Sequence, residues 1–202
     1  MSENFPVYQR RVLILLHPKR ESALAAALEI GRGLAAAGIA VEQHLSSDGA
    51  GVPEITRYAG RSITDFELIL VLGGDGTMLR SAELSYGSKV PILGINVGHM
   101  GFLAEVERPS NADVIRAIIE RDFSFEERMS ISFEIQRHGE VIDSGWALNE
   151  IVIEKESSQM VELFVSVDDR PLSLWNCDGV LCATPTGSTA YAFSAGGPVV
   201  WP

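Results

Sequence analysis

The stretch Leu68-Ile69-Leu70-Val71-Leu72-Gly73-Gly74-Asp75-Gly76-Thr77 decides how this sequence folds. An unbroken apolar run ended by glycines suits a strand buried on both faces of a parallel sheet. Gly73-Gly74 cuts the strand, and Thr77 to Tyr86 can form the helix that follows. In an open α/β sheet, ligands bind beyond the carboxyl ends of the strands. Glycines leave backbone N–H groups unobstructed, and a helix N-terminus favours anions. A carboxylate in such a turn repels phosphate unless it holds a cation or takes up a proton. Asp75 is therefore a metal ligand or a general base for a hydroxyl nucleophile, or else it caps the helix. The turn has neither the lysine of a Walker loop nor the spacing of the usual dinucleotide fingerprint.

Upstream, Val12-Leu13-Ile14-Leu15-Leu16 is a second continuous run. Ser22 to Ala37 predicts a helix stopped by Gly38, and Gly38 to Val41 leads into a further strand. Ser46 to Pro53 predicts a loop. Downstream, Pro91 to Asn96 predicts a strand, and Asn111 to Arg121 an amphipathic helix. Strands alternating with helices predict a Rossmann-like parallel α/β domain over residues 1–122. After Asp122 the period changes to two. Ile131, Phe133 and Ile135 alternate with polar neighbours, as do Leu163, Val165 and Val167. With turn signals at His138-Gly139 and Asp168-Asp169, residues 123–202 predict a β-rich antiparallel domain.

A chain of 202 residues can bury a core without a disulfide or metal staple. With 16 basic and 27 acidic side chains its net charge is −11. That argues against a nucleic-acid groove and against a polybasic membrane anchor. Only 4 of the basic residues, against 12 acidic ones, follow Asp122, so the second half has little positive charge to offer phosphates. Cys177 and Cys182 have no histidine at ligand spacing, and they suit small buried hydrophobes in a reducing compartment. Met1 to Arg10 has no apolar run of the signal-peptide kind, and no stretch has the length of a membrane span, so a cytoplasmic location is expected.

Three further stretches carry chemistry. Asn96-Val97-Gly98-His99-Met100-Gly101-Phe102 follows a strand, with glycines permitting close approach and Phe102 available to stack on a ring. Asn149-Glu150 interrupts the apolar pattern running from Trp146 to Ile153. Such a polar pair costs free energy in a half-buried strand unless hydrogen-bonded. An amide reads an adenine edge, and a carboxylate reads paired ribose hydroxyls; one solvent-facing residue and one cap would explain the pair equally. Asp178-Gly179 is followed by a run with six hydroxyl-bearing side chains from Thr184 to Ser194, which enters a short helix stopped by Gly196-Gly197-Pro198.

Taken in order, the Gly-Gly-Asp-Gly-Thr turn, the Asn-Glu pair and the Thr-Pro-Thr-Gly-Ser-Thr-Ala-Tyr run resemble those of the NAD kinase family from Val12 to Pro202. The turn alone is shared with diacylglycerol, sphingosine and phosphofructokinase relatives. The resemblance implies an α/β domain followed by a β-rich domain, and transfer of a phosphoryl group from ATP or polyphosphate, with Mg²⁺, to the adenosine 2′-hydroxyl of NAD. It implies Asp75 as proton acceptor, with Gly73, Gly74, Gly76 and Thr77 in the same turn. Arg80 is a candidate phosphate partner, Asn96 lies beside the turn, and Phe102 lies near the adenine. Asn149 and Glu150 would bind adenosine, and Asp178 NAD, with Asn176 beside it. Thr184 and the loop Thr189, Ala190, Tyr191, Ala192, Phe193 and Ser194 would wrap the adenosine. The resemblance also implies a homodimer or homotetramer. Family members continue past the segment matching Val199–Pro202, so the β-rich domain is expected to be incomplete here. The alternatives are a lipid kinase of the same superfamily and a non-catalytic NAD-binding module.

Overall fold

The computed structural model describes residues 9–17, 20–45, 51–97 and 109–201. They form two compact units, Met1–Glu126 and Glu127–Pro202.

The first unit runs β1 (Arg11–Leu16), α1 (Glu21–Ala36), β2 (Ala40–His44), β3 (Thr56–Arg57), β4 (Leu68–Gly73), α2 (Asp75–Ser85), β5 (Ile92–Asn96) and α3 (Asn111–Glu120). All pairings are parallel, in the order β3-β2-β1-β4-β5. The continuous apolar runs have their reason here, because the two central strands are covered on both faces. Val12, Ile14, Leu16, Leu68, Leu70 and Leu72 pack with Ile30 and Leu34 of α1 and Val114 and Ile118 of α3. Leu13, Leu15, Ile69 and Val71 pack with Phe66 and with Met78 and Leu84, which come from α2. Each such side chain contributes about 1.5–3 kcal/mol by leaving water. The expected parallel α/β layer is present, its helices at the expected places; the short β3 was not anticipated.

Glycine and capping chemistry set the boundaries. Gly38 takes φ +79° after α1, a left-handed stop that glycine adopts without strain. Gly33 lets α1 approach α3, since a Cβ there would stand 2.6 Å from Ile115. Ser110 caps α3 by accepting from the Asp113 N–H at 3.1 Å. Of the expected loop Ser46–Pro53, residues 46–50 lie outside the described residues. Gln43 fastens the remainder: its amide donates to the Val52 and Ile55 carbonyls and accepts from the Val52 N–H.

The sheet order places a topological switch between β1 and β4. From β1 the chain steps outward through β2 to β3, then returns to β4 on the other side of β1. The connections leaving the carboxyl ends of β1 and β4 therefore diverge, and a crevice opens between them.

The second unit consists of β6 (Ile131–Arg137), β7 (Glu140–Ala147), β8 (Glu150–Glu154), β9 (Val161–Val167), β10 (Arg170–Cys177) and β11 (Gly179–Ala183). A 3₁₀ turn at Thr186–Thr189 and the short α4 (Tyr191–Ser194) follow. The pairings are antiparallel: β6 with β7, β9 with β10 and β11 with β8. His138-Gly139 and Asp168-Asp169 take positive φ at both positions, as the tight turns of twisted hairpins require. Two expectations are corrected. Asn149-Glu150 does not lie within one strand, because Asn149 sits in the bend that separates β7 from β8. The cysteines are not both buried: Cys177 is half-buried, and Cys182 is exposed because its position on β11 alternates with the more covered Leu181 and Ala183.

Candidate functional site

In the first unit, Gly73 ends β4, Gly74 occupies the N-cap position of α2, and Asp75 is its first helical residue. Asp75 is thus inside the first turn rather than its cap. The three glycines have different reasons. A Cβ on Gly73 would stand 2.5 Å from Thr77 Oγ1, so packing demands glycine there. Around Gly74 and Gly76 a Cβ would meet no atom within 4 Å, and neither has a left-handed φ. Glycine at Gly74 also suits the N-cap of α2, whereas nothing in the fold asks for it at Gly76, and the bare backbone of both suits close approach of a ligand. A glycine in a helix costs about 1 kcal/mol relative to alanine.

The turn borders a cleft of about 900 Å³. Its walls are Leu15, Leu16 and His17 from the end of β1; Arg20 at the start of α1; His44 and Leu45 from the end of β2; and Gly74 to Thr77 with Arg80, Glu83 and Leu84 from α2 and its N-cap. Burial and, secondarily, the Arg80 guanidinium hold the His44 imidazole below its ordinary value, so it is neutral at pH 7. The cleft combines amides at a helix N-terminus and two guanidiniums, donors for an anion, with two carboxylates, half-buried Asp75 and exposed Glu83.

Asn96 ends β5 directly opposite Gly73 in the ladder, beside the turn, but it does not line this cleft. Phe102, with Gly98, His99 and Gly101, lies outside the described residues. Arg20, His17 and His44 were missed from the sequence. For Arg20 a signal existed. It holds the N-cap position of α1 without a side-chain cap bond, where Ser, Thr, Asp or Asn is preferred and a cation opposes the helix dipole.

In the second unit the Asn-Glu pair and the Thr/Ser run meet. Thr184 donates its N–H to the Asn149 carbonyl at 2.8 Å and its hydroxyl to the Leu148 carbonyl at 2.6 Å. The same hydroxyl accepts from the Gly187 N–H at 3.0 Å. Gly187 is pressed against the Asn149 backbone so closely that no Cβ would fit. These bonds take up the carbonyls at the bend and hold Glu150 at the start of β8, opposite Ala183. Thr184, Thr186 and Ser188 are buried. Ser188 donates to the Pro185 carbonyl at 2.7 Å and accepts from the Val200 N–H at 2.9 Å.

What remains unpaired is informative. Asn149 Oδ1 and Glu150 Oε2 are buried without a hydrogen-bond partner. Burial pushes the Glu150 carboxyl above its ordinary value. Two acceptors without donors, on consecutive residues, suit a ligand that presents O–H or N–H groups.

Tyr191 donates its hydroxyl to Glu154 Oε1 at 3.2 Å, so the segment after Thr184 reaches along β8. Ala192 is buried, whereas Tyr191, Phe193 and Ser194 are exposed, and Thr189 and Ala190 are half-buried. Asp178 stands at the other end of the ladder from Glu150, next to the Gly179–Glu154 pair, and pairs with Lys155 at 2.5 Å. At roughly 3.4 Å per residue, five residue steps separate the two positions by about 17 Å along the strand. Asn176 is exposed on β10, opposite Glu162. Among the described residues no group of three His, Cys, Asp or Glu side chains is placed to hold a metal ion, and no helix is long and apolar enough to cross a membrane.

The chain thus joins a parallel α/β unit, with a glycine turn opening α2, to a β-rich unit that carries an amide–carboxylate pair. Comparison gives the family. The ATP-NAD kinase N-terminal domain matches residues 12–123, and the ATP-NAD kinase C-terminal domain matches residues 148–202. The NAD kinase of Thermobifida fusca is 46% identical over 206 residues, covering 96% of this chain and 63% of that protein. NAD kinase 2 of Streptomyces avermitilis is 42% identical over 200 residues, covering 96% and 66%. Yeast NADH kinase complexed with NADH superimposes with a TM-score of 0.79 at 26% identity, covering 95% of this chain and 62% of that one. An NAD kinase from Archaeoglobus fulgidus in complex with ATP gives 0.65 at 28% identity, covering 94% and 67%. The chain belongs to the NAD kinase family, and it spans about two thirds of the length of the curated relatives it matches.

Proposed function

We propose that the protein transfers a phosphoryl group from ATP or polyphosphate to the adenosine 2′-hydroxyl of NAD, giving NADP. The observation that carries this reading, beside family membership, is the pair of buried, partnerless oxygens on Asn149 and Glu150. The carboxylate would accept ribose hydroxyls and the amide would engage the adenine edge, with Thr184 and the loop from Thr189 to Ser194 around them. Asp178, beyond the far end of the β8–β11 ladder, and Asn176, near the end of β10, would contact a more distant part of an extended dinucleotide. In the first unit the amides of Gly74, Asp75 and Gly76, with Arg80, would hold the donor phosphates.

A ribose hydroxyl is a weak nucleophile at neutral pH, so it needs a base within reach and in-line placement. Asp75 would take the 2′-hydroxyl proton as the oxygen bonds to the terminal phosphorus and the bridging P–O bond breaks toward the leaving phosphate chain. Mg²⁺, held by donor phosphates and few carboxylates, would neutralise charge on the phosphates; Asp75 is the one carboxylate of the turn. Homo-oligomerisation and a cytoplasmic location belong to the same proposal, and sedimentation reads the first. The deciding experiment is Asp75→Asn in an NADP-formation assay. Turnover should fall by about 10²–10⁴ while calorimetric NAD affinity holds. Near-normal turnover would remove Asp75 from this role.

A further inference from the structure

We infer that Arg20, at the start of α1, is a second ligand for the donor's phosphate chain, acting across the cleft that the glycine turn borders. This inference rests on the proposed phosphoryl transfer for its substrate, but its observations are separate. Arg20 Nη1 is buried and has no hydrogen-bond partner. The residue occupies the N-cap position of α1 without capping it, so neither end of the side chain serves the helix. It lines the same cleft as Gly74, Asp75, Gly76 and Arg80.

A guanidinium at a helix N-terminus is unfavourable by its charge and by the absence of an accepting oxygen for the first N–H groups. A buried guanidinium nitrogen without an acceptor is unfavourable again. Both costs vanish when an anion enters the cleft. A phosphate oxygen accepts from the guanidinium and also compensates the positive end of α1. Glu21 in the first turn of α1 offsets part of the charge at the helix start, but the buried guanidinium nitrogen finds no acceptor inside the protein, the signature of a site completed by its ligand. The charge balance of the sequence agrees. The second unit is poor in cations, so neutralisation of the donor falls to the first unit's arginines, and Arg20 and Arg80 are the two that face the cleft.

Calorimetric titration of the 202-residue chain in magnesium buffer, with ATP and separately with inorganic triphosphate, tests the assignment. Arg20→Ser should weaken both by about 10- to 100-fold, the loss of a charged hydrogen bond. Arg20→Lys should weaken them less, since charge remains but the fork is lost. The ligand-free Arg20→Ser chain should melt at or above the wild-type temperature, because serine caps α1. A purely structural arginine predicts the reverse: a lower melting temperature with unchanged affinity. That result, a wild-type chain that binds neither probe, or a loss confined to ATP overturns the proposal. NADP formation, followed in parallel, separates the two ideas. Arg20-dependent triphosphate binding without NADP formation refutes the NAD kinase reading and leaves Arg20 in place. NADP formation by Arg20→Ser with unaltered donor KM refutes Arg20 alone.

Discussion

At the scale of single residues, Gly73, Gly74 and Gly76 separate what the fold needs from what a ligand needs. Gly73→Ala should destabilise the chain by about 1–3 kcal/mol, because its Cβ collides with Thr77. Gly76→Ala meets no atom, so the ligand-free chain should gain up to about 1 kcal/mol in denaturant unfolding. Its phosphate affinity should nonetheless fall about tenfold or more, the scale on which a site rejects an added methyl group. Glu150 makes the same point through charge. Burial raises its folded pKa above the ordinary 4.5. The penalty is therefore absent below the unfolded pKa and grows as pH rises through the folded one. Glu150→Gln should leave stability unchanged at pH 4 and raise it by less than about 1 kcal/mol at pH 7. It should weaken NAD binding at pH 7, and unchanged affinity by calorimetry would count against the ribose contact.

At the scale of elements, α3 is fixed to the sheet through Glu67. Arg10 donates to Glu67 and to the Ile118 and Ile119 carbonyls at the C-terminal end of α3, while Arg121, left-handed at φ 56°, reaches the same carboxylate. A cation on the last carbonyls complements the helix dipole. Burial raises the Glu67 carboxyl, but the hydrogen bonds and charges of Arg10 and Arg121 outweigh it and hold the carboxyl below its ordinary 4.5. Its contribution is therefore complete above the unfolded pKa and is lost as pH falls through the folded one. Glu67→Gln should cost about 1–2 kcal/mol in urea unfolding at pH 7, and the gap should close as pH drops below 4. Elements of this first unit were legible because burial on two faces writes itself as unbroken runs such as Val12–Leu16 and Leu68–Leu72. The site was legible only in part. Asp75 and Glu150 announce themselves as carboxylates among glycines or apolar residues. Thr184 meets Leu148 across 36 residues through the β8–β11 pairing, which no local period encodes. Arg20 and His44 reach the turn because parallel register aligns the ends of β1, β2 and β4.

At the scale of the whole molecule, the two units differ in what holds them. The first has a two-sided core with Leu13, Ile14, Ile69 and Leu70 fully buried. In the second, Ala192 is the sole apolar residue buried among the described ones, and Phe164, Leu172 and Leu174 are exposed, Phe164 by 68%. Its strands pair only two by two, an arrangement that is marginal in water without a covering layer. Apolar side chains that stay in water contribute nothing to the driving force for folding, however well the hydrogen bonds of a hairpin close. Heat should therefore report mostly on the first unit. Calorimetry of the 202-residue chain should give one cooperative transition of about 80 kcal/mol, the value for some 120 residues, rather than about 140 for the full length. A hydrophobic dye should bind at the exposed strands below that transition, and Phe164→Ser with Leu174→Ser should reduce dye binding without moving the midpoint. A transition with the enthalpy of all 202 residues would show that the second unit melts cooperatively with the first and would overturn this division of stability.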